Sequence, residues 1–132
     1  MTIILAACGT TGGLRAPAGV VPGTDRHGQS VDGLTVGHRL AEAGEYELAL
    51  RAYYRAAGEQ GINADVLSAI GSTNLKLGRL GQAEQMLRRA LEMDPDFVPA
   101  LNNLGVVLME KGETGEARRV FQRAYALDSG NS

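Results

Sequence analysis

The chain has 132 residues, with 13 Lys and Arg against 15 Asp and Glu, so there is no basic excess of the kind that marks a nucleic-acid surface. One Cys excludes an intramolecular disulfide and a cysteine-cluster zinc site, and two His leave few ligands for any other transition metal. No apolar run approaches the ~20 residues that span a bilayer, and with no Trp and only four Tyr and two Phe the core must be built from Leu, Ala, Val, Ile and Met.

Composition shifts near residue 30. Residues 1–29 hold three charges (Arg15, Asp25, Arg26), six Gly, and Pro17 and Pro22. Neither helical nor strand periodicity continues after Leu5, so residues 9–29 read as a flexible linker that cannot offset its own ordering entropy. The apolar run Ile3–Ala7 ends in Leu5-Ala6-Ala7-Cys8, which resembles the lipobox of bacterial lipoproteins, whose Cys sulfur receives a diacylglyceryl group. A working signal also needs a positive start and ~7–15 apolar residues, and here both are short. Two readings fit. Either the true start lies upstream and Cys8 is a lipidation site, or Cys8 is a free thiol in a cytosolic tail. The Gly/Thr/Pro-rich stretch after Cys8 would serve the first as a tether.

Residues 30–132 carry the other 25 of the 28 charges, interleaved with apolar residues at helical spacing. Self-comparison aligns Gly44, Gly78 and Gly112, then Ala49, Ala83 and Ala117, Ala56, Ala90 and Ala124, and Gly37, Gly71 and Gly105. The period is 34 residues, and it divides the segment into units 30–63, 64–97 and 98–131. This pattern resembles the tetratricopeptide repeat, a helix–turn–helix unit. It implies an all-α, right-handed solenoid of three repeats, with A helices near 31–43, 64–77 and 97–111 and B helices near 46–58, 80–93 and 114–127.

Gly44, Gly78 and Gly112 are expected to end the A helices in the left-handed conformation. Gly37, Gly71 and Gly105 should let each A helix approach Ala49, Ala83 and Ala117 of its B helix. Ala56, Ala90 and Ala124 are expected where one unit packs on the next. Pro95 should stop the second B helix and Asp96 should cap the third A helix. Gly33 stands where a large apolar residue is usual, which predicts a frayed first turn. Asn74 stands at an apolar position, and a buried, unpaired amide would cost ~1–3 kcal/mol, so a hydrogen-bonded partner is expected.

Stacked A helices in this family line a concave groove that takes an extended or helical peptide. The resemblance places Val31, Leu34, Thr35, His38, Ala41 and Glu42 in that groove. Asp65, Ser68, Ala69, Ser72, Leu75 and Lys76 follow from the second unit, and Asn102, Asn103, Val106, Met109 and Glu110 from the third. Chaperone-binding members grip a C-terminal carboxylate with Lys, Asn and Arg. Here the corresponding positions hold Leu34, His38 and Ala69, so that grip is missing. Arg55, Arg89 and Arg123 repeat every 34 residues on the B helices, with Arg51, Arg88, Arg118 and Arg119 nearby. They read as a solvated face paired with Glu45, Glu47, Glu84, Glu92 and Glu116, in preference to a lipid-binding stripe.

No catalytic set and no cofactor or metal site emerges. His38 stands alone, Gly9-Thr10-Thr11-Gly12-Gly13 lacks the Gly-Lys-Ser/Thr of a phosphate loop, and the carboxylates are scattered. The expectation is a non-catalytic scaffold for a protein or peptide partner, not for nucleic acid. Its only membrane contact would be a lipid on Cys8. No further helix follows the last repeat, which predicts either self-association around Val120, Tyr125 and Leu127 or a truncated gene product. The start and the Ala- and Arg-rich repeats together resemble the TadD-type Tad/Flp pilus assembly lipoproteins and the pilotins of secretins. That resemblance implies an outer-membrane lipoprotein facing the periplasm. The alternatives are a cytosolic adaptor, or an accessory subunit that regulates an enzyme, for instance in cytochrome maturation.

Overall fold

The computed structural model describes residues 32–130. They form six helices: α1 (Gly33–Glu42), α2 (Tyr46–Gln60), α3 (Ala64–Lys76), α4 (Leu80–Met93), α5 (Val98–Glu110) and α6 (Thr114–Asp128). Each lies within two residues of its expected bounds. Cys8, the 9–29 linker and Val31 fall outside the described residues.

The three A-to-B turns are the same structure built three times. Gly44, Gly78 and Gly112 have φ of 78°, 75° and 81°. The Gly44 N–H donates to the Ala41 carbonyl at 3.0 Å and the Glu45 N–H to the Leu40 carbonyl at 2.8 Å. Arg79 to Asn74 (2.9 Å) and Glu113 to Leu108 (2.8 Å) repeat the second bond. These pairs satisfy helix-end carbonyls that would otherwise lack donors, and glycine adopts the left-handed geometry without a Cβ clash.

Within each pair the closest approach is a side chain of the B helix seated in a glycine notch of the A helix. A Cβ at Gly71 would lie 2.6 Å from Leu87 Cγ, and one at Gly105 would lie 2.5 Å from Phe121 Cε1. One at Gly37 would collide with the Tyr53 ring. Tyr53, Leu87 and Phe121 are themselves spaced by 34. Ala49, Ala83 and Ala117 are fully buried, as close helix packing requires.

Neighbouring helices pack in chain order, and α1 also touches α3 and α3 touches α5. The helices α2, α4 and α6 make no contact with one another. The A helices therefore line the inside of the curve and the B helices its outside. Two apolar clusters fill the stack, one around Tyr53, Val66 and Ile70 and one around Leu87, Leu104 and Leu108. Burying a Leu such as Leu87 contributes ~1.5–3 kcal/mol.

Three expectations change. The first turn is tight, not frayed: a Cβ at Gly33 would meet the Ala52 carbonyl oxygen at 2.8 Å and Ala56 Cβ at 3.0 Å, so glycine lets α1 start against α2. Asp32 caps that turn, accepting the Leu34 N–H at 2.7 Å and the Thr35 hydroxyl at 2.9 Å. The Thr35 hydroxyl, with the backbone N–H groups, holds this carboxyl below its usual range. Second, Asp96 does not cap α5. The cap position is Phe97, and Pro99 presets the first turn without an N–H that needs a partner. Asp96 pairs with Arg123 at 2.9 Å instead. Third, Ala56 packs beneath Gly33 in its own unit, and Ala124 is buried although no helix follows it among the described residues. These alanines serve the inside of each pair as much as the joint between pairs. Asn74 behaves as expected: it is buried, and its Nδ2 donates to the Ile70 carbonyl one turn back at 3.0 Å.

Candidate functional site: the inner wall of the helical stack

Helical spacing puts Asp65, Ser68, Ala69 and Ser72 on one face of α3. That face forms the middle of a cavity of about 240 Å3, walled by His38 of α1 and by Phe97, Pro99 and Asn103 at the start of α5. Ser68 and Ala69 are its buried floor. Asp65 and His38 are exposed at its edge, and Ser72 and Asn103 are half-buried. Ser72 Oγ donates to the Ala69 carbonyl at 3.3 Å. Ser68 Oγ, the Asp65 carboxylate and the Asn103 amide make no hydrogen bond or ion pair with another described residue.

His38 is fixed from behind. Tyr53 is buried, with its hydroxyl 2.9 Å from His38 Nδ1 and the two rings edge-to-face at 5.4 Å. Nδ1 is thus occupied and Nε2 is the nitrogen left for the groove. Burial pushes the Tyr53 phenol above its usual range.

The other expected groove residues divide. Thr35, Glu42, Lys76, Asn102, Val106 and Glu110 are exposed. Leu34 and Ala41 are half-buried against the first apolar cluster, and Leu75 against the second. Met109 is corrected. It lines a separate cavity of about 540 Å3 with Thr114, Arg118, Phe121, Gln122 and Tyr125, on the end face of the last pair. Of the residues expected at that end, Tyr125 is 72% exposed and lines this cavity, whereas Val120 packs on the core. Phe97 and Pro99 were not expected in the groove. They precede or open the third A helix, and the 34-residue alignment gives them Asn63 and Asp65 as counterparts, which carry no apolar signal.

The basic residues of the outer face are partly paired. Arg88 bridges Glu84 (2.9 Å) and Glu116 (2.8 Å), and Lys111 also binds Glu84, which joins the second pair to the third. The Lys111 hydrogen bond holds the Glu84 carboxyl below its usual range, and Glu116 raises Arg88. Arg55 meets Glu59 at 3.8 Å and Arg79 meets Glu47. Glu45 and Glu92 take no cation among the described residues, nor do Arg51, Arg89, Arg118 and Arg119. None of the described helices is long and apolar enough to cross a membrane. No group of three or more His, Cys, Asp or Glu among the described residues could hold a metal ion.

Pairs of antiparallel helices, repeated at 34 residues and curved with their first helices inward, define a helical-repeat solenoid. The repeats are tetratricopeptide repeats: the model of that family matches residues 68–132. Among curated proteins the chain is 41% identical over 58 residues to cellulose synthase operon protein C of Komagataeibacter xylinus, which covers 44% of this chain and 4% of that one. It is 34% identical over 86 residues to WspC of Pseudomonas aeruginosa, named as a probable biofilm formation methyltransferase, covering 65% and 20%. The chain thus spans a small part of the length of these relatives. Among solved structures, the second repeat domain of human RPAP3 in complex with the HSP70 peptide SGPTIEEVD superposes with a TM-score of 0.68 at 25% identity, covering 76% of this chain and 84% of that one. The crystal structure of MamA has a TM-score of 0.68 at 20% identity, covering 74% and 57%, and shares the fold.

Proposed function

We propose that this protein is a non-catalytic scaffold whose inner wall holds a segment of a partner protein. The observation that carries this reading is the α1–α3–α5 cavity, where a buried hydroxyl, a carboxylate and an amide face the groove with their hydrogen-bonding capacity unused. An extended peptide has the backbone N–H and C=O groups to meet them. The RPAP3 structures, which hold peptides on the same fold, support the mode of binding. They do not support the same ligand, because Leu34, His38 and Ala69 stand where a carboxylate-gripping repeat carries Lys, Asn and Arg.

For its setting we propose the bacterial envelope. Cys8 would carry the lipid, residues 9–29 would tether the repeats, and the partner would belong to a Tad/Flp pilus or secretin assembly. A second reading has its own observation. Relatives such as WspC are named as enzymes and match this chain over a fraction of their length, which suits a repeat arm that serves an enzyme.

Two experiments test this. Photo-crosslinking from position 72 in the native host should capture one partner that position 89, on the outer face, does not. Equal capture from both positions removes the groove reading. The mass of the N-terminal peptide made from native upstream DNA should show diacylglyceryl on Cys8. A free thiol removes the envelope setting and leaves the cytosolic adaptor.

A further inference from the structure

The inner and outer faces differ in charge. Seven of the basic residues, Arg51, Arg55, Arg88, Arg89, Arg118, Arg119 and Arg123, lie on the outer helices α2, α4 and α6. The exposed charges expected along the groove are Glu42, Asp65 and Glu110 against Lys76 alone. Arg39 belongs elsewhere: it stands in register with Thr73 and Val107, which are buried at the joints between pairs.

The cavity sharpens this bias into a site. Asp65 sits on its rim in the first turn of α3 and pairs with no cation among the described residues. Lys76 is eleven residues further along the helix, about 16 Å at 1.5 Å per residue, too far to neutralise it directly. Beneath Asp65 lies Ser68, 4% exposed, with an acceptor oxygen and no partner among the described residues. Asn103 offers a side-chain carbonyl from the opposite wall. Ala69, Phe97 and Pro99 give the same small space an apolar lining. A carboxylate and two neutral acceptors above an apolar floor, beside an aromatic ring, suit a side chain with a cationic tip and a hydrocarbon stem. An anionic tip would meet the Asp65 charge with no cation to offset it.

We propose that the α1–α3–α5 cavity selects a lysine or arginine side chain from an extended partner segment, with Asp65 pairing to its charge. This rests on the groove-binding reading and adds the chemistry of the ligand. It is the opposite polarity to the SRMEEVD and SGPTIEEVD peptides held by the RPAP3 repeats.

The test uses the full chain, labelled with 15N, and three eight-residue peptides blocked at both ends. They are alternating Ser and Ala except for one central residue: Lys, norleucine or Glu. The Lys peptide should shift the backbone amides of Asp65, Ser68 and Asn103 most strongly, then norleucine, then Glu. Asp65→Asn should weaken the Lys peptide about two- to fivefold, the range for a solvent-accessible ion pair, and leave norleucine unchanged. Asp65→Lys should reverse the preference toward Glu. Raising the salt concentration should weaken the Lys peptide alone. If norleucine or Glu shifts the cavity amides as much as Lys does, the cation preference is wrong and groove binding stands. If no peptide shifts them at millimolar concentration, or the Lys peptide shifts only the outer helices, both readings fall.

Discussion

The second and third helical pairs share one repeat register and differ in what covers them. Leu87 of the second pair is fully buried, whereas Phe121, its counterpart, is half-buried. Leu91 is half-buried, and Tyr125 in the same register is 72% exposed. The cause is position in the stack. Helix α5 lies against both α3 and α4, while among the described residues no helix lies over α5 and α6 in the same way. The register therefore decides which residue faces which partner inside a pair. The neighbour decides how much water that residue loses, and so how much energy it contributes.

The comparison can be broken most directly at its two central side chains. Leu87→Ala should lower unfolding stability by about 3–4 kcal/mol, since it opens a cavity in a covered core. Phe121→Ala, despite removing more atoms, should cost only about 1–2 kcal/mol because its ring is already half in water. Urea unfolding of the two variants reads the difference, and equal losses would mean that the end face is covered in solution.

The glycine notches sharpen the same point. Gly71→Ala drives a methyl into Leu87, with the Ala83 carbonyl oxygen 3.3 Å away on the backbone, and neither has room to yield. It should cost about 2 kcal/mol net of the gain in helix propensity. At Gly105 the obstacle is the far edge of the Phe121 ring, which can swing outward, and Gly105→Ala should cost less than about 1 kcal/mol. Thermal melts of the pair would show whether the last unit adapts where the middle one cannot.

The bridge between the two pairs has a pH signature. The Glu84 side chain is 17% exposed and holds both Lys111 and Arg88. Its carboxyl is lowered in the folded state, so its contribution is present above the ordinary carboxylate range near pH 4.5 and is lost as pH falls through the folded value. Glu84→Gln should cost about 1 kcal/mol at pH 7, and parent and variant should converge in acid. A constant gap across that range would assign Glu84 a packing role.

The first pair offers the smallest effect. Tyr53→Phe keeps the ring in the Gly37 notch and removes only the hydroxyl bonded to His38. A loss of about 0.5–1 kcal/mol is expected in denaturant melts. A larger loss would show that the hydroxyl anchors α1 as a whole.

The 34-residue spacing made the six helices, their glycine turns and the notches legible before any coordinates, because a repeat records geometry as a recurring residue type. Gly33 misled because an isolated departure from a pattern looks like a defect. Its cause, the carbonyl of Ala52, lies on another helix. Asp96 misled because the helix-start rule competes with Pro99, which starts the helix without a side-chain cap. The groove was legible as a list of register positions and not as a site. Depth within it, with Ser68 below and Asp65 above, follows from where α5 crosses α3. Phe97 and Pro99 were invisible because their counterparts Asn63 and Asp65 serve the first-to-second joint through different chemistry.

Each A helix carries its own glycine notch and each B helix the side chain that fills it, so a pair needs no neighbour to set its internal spacing. A segment of 34 codons that encodes both halves of a lock can be copied in frame and arrive already fitted. The three occupants, Tyr, Leu and Phe, have diverged in size and polarity while the glycine beneath each has stayed the same. Such a chain can lengthen by duplication and then specialise copy by copy. One unit turns its occupant toward a groove histidine, the next toward the core, and the last toward open water, without renegotiating the joint that holds them together.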